Sequence, residues 1–220
     1  MLYYLFTNAK YDKITYQQRG FENVKRHIHN IKDVFGLNMV VAINKHIEDS
    51  AEDVKTIVNL CKKEGVKAEI AEAYSKGGEG CIRLAKIVTT IANNNYNFTP
   101  VYELRDSLID KITNIATKVY GAKDVEFSST AKEKLNWAEK QGFNDFFVNI
   151  AKTQFSFSGD KSLIGAPNNF TLKVTDIEIR SGAKMIVAIA GNMLLMPGLG
   201  KNSNYLNMSI DNNGEVCGLF

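Results

Sequence analysis

Three short segments of the sequence combine residue types and positions that can bind an anion or a planar ligand. Asn44 and Lys45 follow an apolar run typical of a buried strand, and open α/β sheets bind ligands at the carboxyl ends of their strands. Residues 77–80, Gly-Gly-Glu-Gly, precede a helical pattern, where bare N–H groups and the helix dipole favour anions. Residues 152–156 place a lysine, hydroxyls and an amide after another strand. Each segment also has a purely structural explanation: a polar strand end for the first, a turn before a helix for the second and a solvated loop for the third.

Nucleotide-binding motifs are incomplete in this sequence. Asn44 and Lys45 would begin the NKxD element that recognises guanine, but the fourth position is Ile47. No GxxxxGK[ST] phosphate-binding loop occurs in the 220 residues, so an autonomous GTPase is not supported. Residues 196–200 contain Pro197 followed by Gly198, which predicts a tight turn. Such a turn can be purely structural or can form part of a binding loop.

Charge and apolar patterning argue against nucleic-acid and membrane partners. The net charge of +3 comes from 27 basic and 24 acidic residues that are mixed along the chain. The apolar runs 39–43 and 185–190 are far shorter than the roughly 20 residues of a membrane-spanning helix, and they predict buried strands. Residues 1–6 lack a basic flank and a cleavage site, so we predict a cytoplasmic protein.

Cysteine and histidine spacing predicts neither a disulfide framework nor a metal site. Cys61, Cys81 and Cys217 are far apart and form no CxxC pair, so we expect unreactive free thiols. His27 and His29 are two residues apart, which directs them to different faces of a helix.

Helical and strand patterns alternate from Gly20 onward. The predicted helices cover residues 21–34, 50–65, about 80–93, 101–121 and 130–140, and the predicted strands cover residues 37–44, 67–73 and 147–152. The strand at 37–44 is apolar without alternation, so we expect it in the centre of a parallel sheet with both faces covered.

The composition changes after residue 153. Glycine, asparagine and serine replace the helical patterns, and residues 170–180 alternate as an exposed antiparallel strand would. We therefore predict an α/β fold, with a mostly parallel, Rossmann-like sheet flanked by helices and a smaller β-rich carboxyl-terminal region. The predicted divisions are 1–19, a leader; 20–152, the α/β domain; and 153–220, the β-rich region. No repeat of fixed period is visible.

Six signatures in order resemble the formate–tetrahydrofolate ligase family. They are Asn23 with His27, Ile28 and Asn30; the segment 35–45; Gly77–Gly80; Tyr120–Ala122; Ala151–Gln154; and Met196–Leu199. The resemblance covers about 200 residues, everything after Arg19. Residues 1–16 resemble no family signature, so we expect a truncated or frame-shifted reading.

The resemblance implies an enzyme of one-carbon metabolism that uses ATP with Mg²⁺, formate and tetrahydrofolate. In such enzymes formate attacks the γ-phosphate, and a folate amine then attacks the resulting formyl phosphate to give 10-formyltetrahydrofolate. The family phosphate-binding loop would lie upstream of Met1, so the expected chain is a carboxyl-terminal fragment whose missing domain binds ATP. The alternative is a non-catalytic remnant, or a folate-binding partner subunit. Either a homo-oligomer or a complementing amino-terminal fragment is the expected protein partner.

The resemblance also assigns binding residues. The family sandwiches the pterin ring between an aromatic residue after the Asn-Lys pair and a tryptophan before the glycine loop. Those positions here are His46 and Tyr74, so the expected folate-binding residues are Asn44, Lys45, His46 and Tyr74. The expected anion or nucleotide contacts are Gly77, Gly78, Lys152, Gln154, Pro197 and Gly198. Three further positions depart from the family pattern: Lys184, Gly200 and Asn212.

Overall fold

Helices and strands alternate between residues 13 and 151, apart from three successive α-helices between residues 73 and 114. The computed structural model describes residues 13–191 and 201–218. The α-helices are α1 (Lys13–His29), α2 (Ala51–Lys63), α3 (Ala73–Lys76), α4 (Ile82–Ala92), α5 (Leu108–Asn114) and α6 (Ser129–Lys140). The strands are β1 (Val40–Asn44), β2 (Lys67–Ala71), β3 (Asp124–Phe127), β4 (Phe147–Ala151), β5 (Thr171–Arg180), β6 (Met185–Ala190), β7 (Ser209–Ile210) and β8 (Val216–Cys217).

The strands form three sheets. β1 and β2 make a parallel pair, the order of the main sheet is β3-β5-β6-β4, and β7 and β8 form a small antiparallel hairpin. In the main sheet β3 runs parallel to β5 and β4 runs parallel to β6, whereas β5 and β6 are antiparallel. The α/β class, with helix-flanked parallel strands and a smaller strand-rich region near the carboxyl end, is confirmed. Strands from both sides of residue 153 share the main sheet, so the predicted boundary does not separate two sheets.

Side-chain caps fix where the helices begin. The Ser50 hydroxyl accepts a hydrogen bond from the Asp53 N–H at 3.2 Å, and α2 starts at the next residue. The predicted helix 101–121 was wrong at its start, because Ser107 caps α5 by accepting from the Asp110 N–H at 3.1 Å. Both α1 and α5 continue into π-helical turns, at 30–34 and 115–119, that end before a glycine with positive φ.

The main core lies between the four-stranded sheet and helices α5 and α6. Leu108 and Ile112 of α5, Leu135 of α6 and Ile186 of β6 are completely buried there. Leu172, Val174 and Ile177 bring β5 into the same core. The predicted strand at 170–180 and its antiparallel pairing, with β6, are confirmed. Its predicted exposure was wrong, because β5 lies inside the sheet with neighbours on both edges.

The first strand pair has a much smaller core. Phe21 and Ile28 of α1 meet Cys61 of α2 and Val66 on one side of the pair, and α4 contacts β1 and β2. None of the residues of β1 is buried, and β2 is the only strand paired with it in the described part of the chain. The predicted central position was wrong, because β1 is an edge strand. No helix among the described residues is long and apolar enough to cross a membrane.

Candidate functional site

The loops that follow β1 and β2 leave the first sheet side by side. Asn44 is paired with Ala71, and the Lys45 N–H extends the ladder by donating to the Ala71 carbonyl at 3.0 Å. Because the strands are parallel, residues 44–46 and residues 72–74 lie at the same end of the sheet. We call this place, with the glycine loop 77–80, the β1–β2 end. It contains all four predicted folate-binding residues.

A carboxylate that sequence reasoning missed holds two lysines at the β1–β2 end. The Lys45 Nζ lies 3.5 Å from Oε1 of Glu72, and the Lys76 Nζ lies 2.7 Å from Oε2. The hydrogen bond from Lys76, aided by the charges of both lysines, lowers the pKa of Glu72. The three side chains carry one net positive charge, which suits an anionic group. The i, i+4 spacing of Glu72 and Lys76 was the available sequence signal.

His46 and Tyr74 are both open to solvent. The Tyr74 side chain is 90% exposed on the short helix α3, so its ring is free to stack on a ligand. His46 is exposed, and its backbone N–H donates to Oδ2 of Asp49 at 2.8 Å, which fixes the path of the loop. The arrangement provides two exposed rings near a positive charge at one end of the sheet.

The glycine loop is anchored by a glycine that was not on the list of predicted contacts. A Cβ on Gly80 would lie 2.5 Å from the carbonyl oxygen of Glu72, and the Gly80 carbonyl accepts from the Glu72 N–H at 3.2 Å. Gly77 has φ +57, and no atom lies within 4 Å of a Cβ built on Gly77 or Gly78. Glycine at position 80 therefore allows the loop to pack closely against the backbone of Glu72, whereas Gly77 and Gly78 border open space. The loop forms a 3-10 turn, Gly77–Cys81, ahead of α4.

Lys152 turns its ammonium group into its own loop. The Nζ donates to the carbonyls of Ser156 and, at 3.4 Å, Thr153. It lies 4.8 Å from the ring centroid of Tyr120 and 5.4 Å from that of Phe157, within cation–π range. Burial lowers the pKa of Lys152 to about 8. We call Lys152, Tyr120, Phe157 and His27 the Lys152 cluster.

His27 joins this cluster from α1. Its ring centroid lies 4.9 Å from that of Phe157, and burial, together with the nearby charge of Lys152, lowers the pKa of His27. Burial also raises the pKa of Tyr120. Gln154 lies in the exposed turn that follows. The anion contacts assigned to Lys152 and Gln154 stay predictions, and Pro197 and Gly198 lie outside the described residues.

The described titratable side chains form no cluster of metal ligands. Within residues 13–191 and 201–218, no three His, Cys, Asp or Glu side chains come together in a way that could hold a metal ion.

The sequence matches one protein family along nearly its whole length. The profile of the formate–tetrahydrofolate ligase family matches residues 6–220, so the match starts earlier than the resemblance after Arg19. A formate–tetrahydrofolate ligase of Limosilactobacillus fermentum is 43% identical over 211 residues, which cover 96% of this chain and 38% of that relative. Formate–tetrahydrofolate ligase 2 of Lactobacillus acidophilus is 43% identical over 203 residues, covering 92% and 36%.

A third relative gives the same result. A formate–tetrahydrofolate ligase of Pseudothermotoga lettingae is 42% identical over 203 residues, covering 92% of this chain and 36% of that relative. The chain spans 36–38% of the length of these curated relatives.

Proposed function

The chain belongs to the formate–tetrahydrofolate ligase family, and we propose that it supplies the tetrahydrofolate-binding part of such a ligase. One observation carries the proposal: two exposed rings, His46 and Tyr74, accompany the Lys45–Glu72 pair at the end of two parallel strands. Planar pteridines stack on aromatic faces, and carboxylates of a folate tail suit a lysine-rich rim.

Each residue of the β1–β2 end has a distinct role in this proposal. Tyr74 and His46 stack on the two faces of the pterin. Asn44 offers an amide to the polar edge of the pterin. Lys45 and Lys76 bind the carboxylates of the folate tail, and Glu72 holds both ammonium groups in position. Bound in this way, the folate amine that receives the formyl group is oriented before the chemical step.

The ATP-dependent activation of formate belongs, in this proposal, to the larger part of the family polypeptide. ATP with Mg²⁺ supplies the phosphoryl group that makes formate reactive. Gly77, Gly78, Lys152 and Gln154 of this chain are proposed as anion or nucleotide contacts. No step is assigned to Mg²⁺ on this chain. We also propose that the protein forms a homo-oligomer and is cytoplasmic.

Calorimetric titration with tetrahydrofolate tests the assignment. Tyr74→Ala should weaken binding by roughly 1–3 kcal/mol, the usual value for one ring stack, which is about 5- to 150-fold in Kd. Tyr74→Trp and His46→Phe should tighten binding, because both rings add contact area. Tyr96→Ala is the matched control, since Tyr96 is 65% exposed in a different loop.

Two outcomes would count against the proposal. Equal affinities for wild type and all three site variants would remove the β1–β2 end as the folate site. Absence of binding by every protein, together with normal unfolding curves, would favour a non-catalytic remnant of the family.

A further inference from the structure

The segment after β4 is buried although it forms no regular helix or strand. Four of its residues are at most 6% exposed: Thr153, Ser156, Phe157 and Ser158. The Phe157 N–H donates to the Gly165 carbonyl at 3.0 Å, and the Gly165 N–H donates to the Phe155 carbonyl at 3.1 Å. Because turns and bends make up most of residues 152–165, their order depends on the groups that cover them.

Helix α1 covers this segment through a ring contact and leaves a polar atom unsatisfied. The ring centroids of His27 and Phe157 lie 4.9 Å apart. One turn earlier, Nδ2 of Asn23 is buried beside Gly165 and has no hydrogen-bond partner among the described residues. A buried donor without an acceptor destabilises the packed arrangement, and water satisfies the donor when the two parts separate. This contact is therefore weaker than a fully hydrogen-bonded one.

Two cations meet in this contact once His27 is protonated. The Lys152 Nζ lies 5.4 Å from the centroid of Phe157, the ring that His27 also contacts. No carboxylate of the described residues forms an ion pair with either His27 or Lys152. Asp160, in the same segment, accepts hydrogen bonds from Ser162 instead. Protonated His27 therefore faces the Lys152 ammonium without a compensating negative charge.

The other groups around His27 supply no negative charge either. The residues three and four positions away on α1 and its continuation are uncharged: Asn23, Val24, Asn30 and Ile31. Arg26, next to His27, is a further cation and donates a hydrogen bond to Asn168. Tyr120, which also lies beside Phe157, stays neutral because burial raises its pKa.

We propose that the Lys152 cluster is a proton-operated latch between α1 and residues 152–165. With neutral His27 the latch is closed and Lys152 is held inside its own loop. Protonation of His27 opens the latch and turns Lys152 toward solvent. An open latch gives an anion access to Lys152, but the latch itself does not depend on the anion contact proposed above.

The direction of the pH effect follows from linkage. Burial, together with the charge of Lys152, lowers the pKa of His27 in the closed state from the ordinary value of 6.5. Opening removes both causes, so the open state binds a proton more readily than the closed state does. The closed latch is therefore most stable above the ordinary pKa and loses stability as pH falls toward the lowered pKa.

Amide hydrogen exchange on the 220-residue chain measures the latch. The protection factors of Phe157 and Gly165, corrected for the intrinsic exchange rate at each pH, should fall at least about 3-fold from about pH 7.5 to about pH 5. The amides of β6, in the main sheet, should keep their protection over the same range.

Three variants assign the effect to the cluster. His27→Phe keeps a ring against Phe157 but cannot be protonated, so its protection factors should be the same at both pH values. His29→Phe is the matched control and should behave as wild type, because His29 lies on another face of α1 and bonds to Asp33 at 2.9 Å. Lys152→Met removes the repelling charge and should reduce the fall, which provides a second test if His27→Phe does not fold.

Four results would overturn the proposal. The first is equal protection of Phe157 and Gly165 at both pH values in wild type. The second is a fall of wild-type size in His27→Phe or in Lys152→Met, and the third is loss of the fall in His29→Phe. The fourth is an equal loss of protection in β6, which would indicate unfolding of the whole chain.

Discussion

Replacing Lys152 by methionine should change how the stability of the chain depends on pH. Methionine keeps the length of the side chain and favours contact with aromatic rings, but it carries no charge. Burial lowers the pKa of Lys152 to about 8, against 10.5 for an ordinary lysine. Between these two values the unfolded state binds more protons than the folded state. The folded wild type therefore gains stability, relative to the unfolded state, as pH rises through this window.

The magnitude follows from the size of the pKa change. One pKa unit corresponds to about 1.4 kcal/mol, and partial solvent access to Lys152 reduces the effect. From pH 7 to pH 10 the free energy of unfolding of wild type should rise, relative to Lys152→Met, by on the order of 1–2 kcal/mol. Urea unfolding at several pH values measures this difference. Lys161→Met, an exposed lysine of the same loop, should run parallel to wild type.

A second readout comes from His27. Because the charge of Lys152 contributes, after burial, to lowering the pKa of His27, Lys152→Met should raise that pKa in an NMR titration. If the free energy of unfolding changes with pH in the same way for wild type and Lys152→Met, and the pKa of His27 is the same in both, the Lys152 ammonium is not buried in the Lys152 cluster.

Three further changes test the packing and charge arguments. Gly80→Ala should cost roughly 1–3 kcal/mol in urea unfolding, because its methyl group would meet the Glu72 carbonyl, whereas Gly78→Ala, in open space, should cost much less. Leu135→Ala, in the main core, should cost about 2–5 kcal/mol in the same assay, and an unchanged midpoint would contradict its burial. The hydrogen bond from Lys134 lowers the pKa of Asp176, so wild type should lose stability as pH falls from about 4 toward that lowered pKa. Thermal unfolding should show a smaller loss over this range for Lys134→Met.

Local signals in the sequence predicted most elements but not their surroundings. Ser50 and Gly65 fixed the ends of α2, because capping and positive φ depend on neighbouring residues. The apolar run 40–44 correctly predicted a strand. Its composition also predicted that other elements pack on both of its faces, but no residue of β1 is buried by the described part of the chain. The helix predicted from residue 101, directly after Pro100, begins instead at Leu108 with Ser107 as its cap, since a cap with a bonded hydroxyl outweighs a permissive proline.

The candidate site, too, was predicted from the sequence only in part. The sequence located polar residues after β1 and β4, because strand ends can be read from periodicity. It could not show that Lys152 turns inward, since that orientation depends on Tyr120 and Phe157, which are contributed by separate segments. Glu72 was missed because its two lysine partners meet only when the loops after β1 and β2 lie together.

The order of strands in the main sheet has a consequence for synthesis on the ribosome. β3 and β4 are its outer strands, and the hairpin between them, β5 and β6, comes later in the chain. When β4 leaves the ribosome, neither it nor β3 has its sheet partner, and α5 and α6 have no sheet to cover. Non-local pairing of this kind folds slowly and exposes apolar surface in the meantime. The complete sheet can therefore form only after residue 190 has emerged, which makes the period before it a window for chaperone binding.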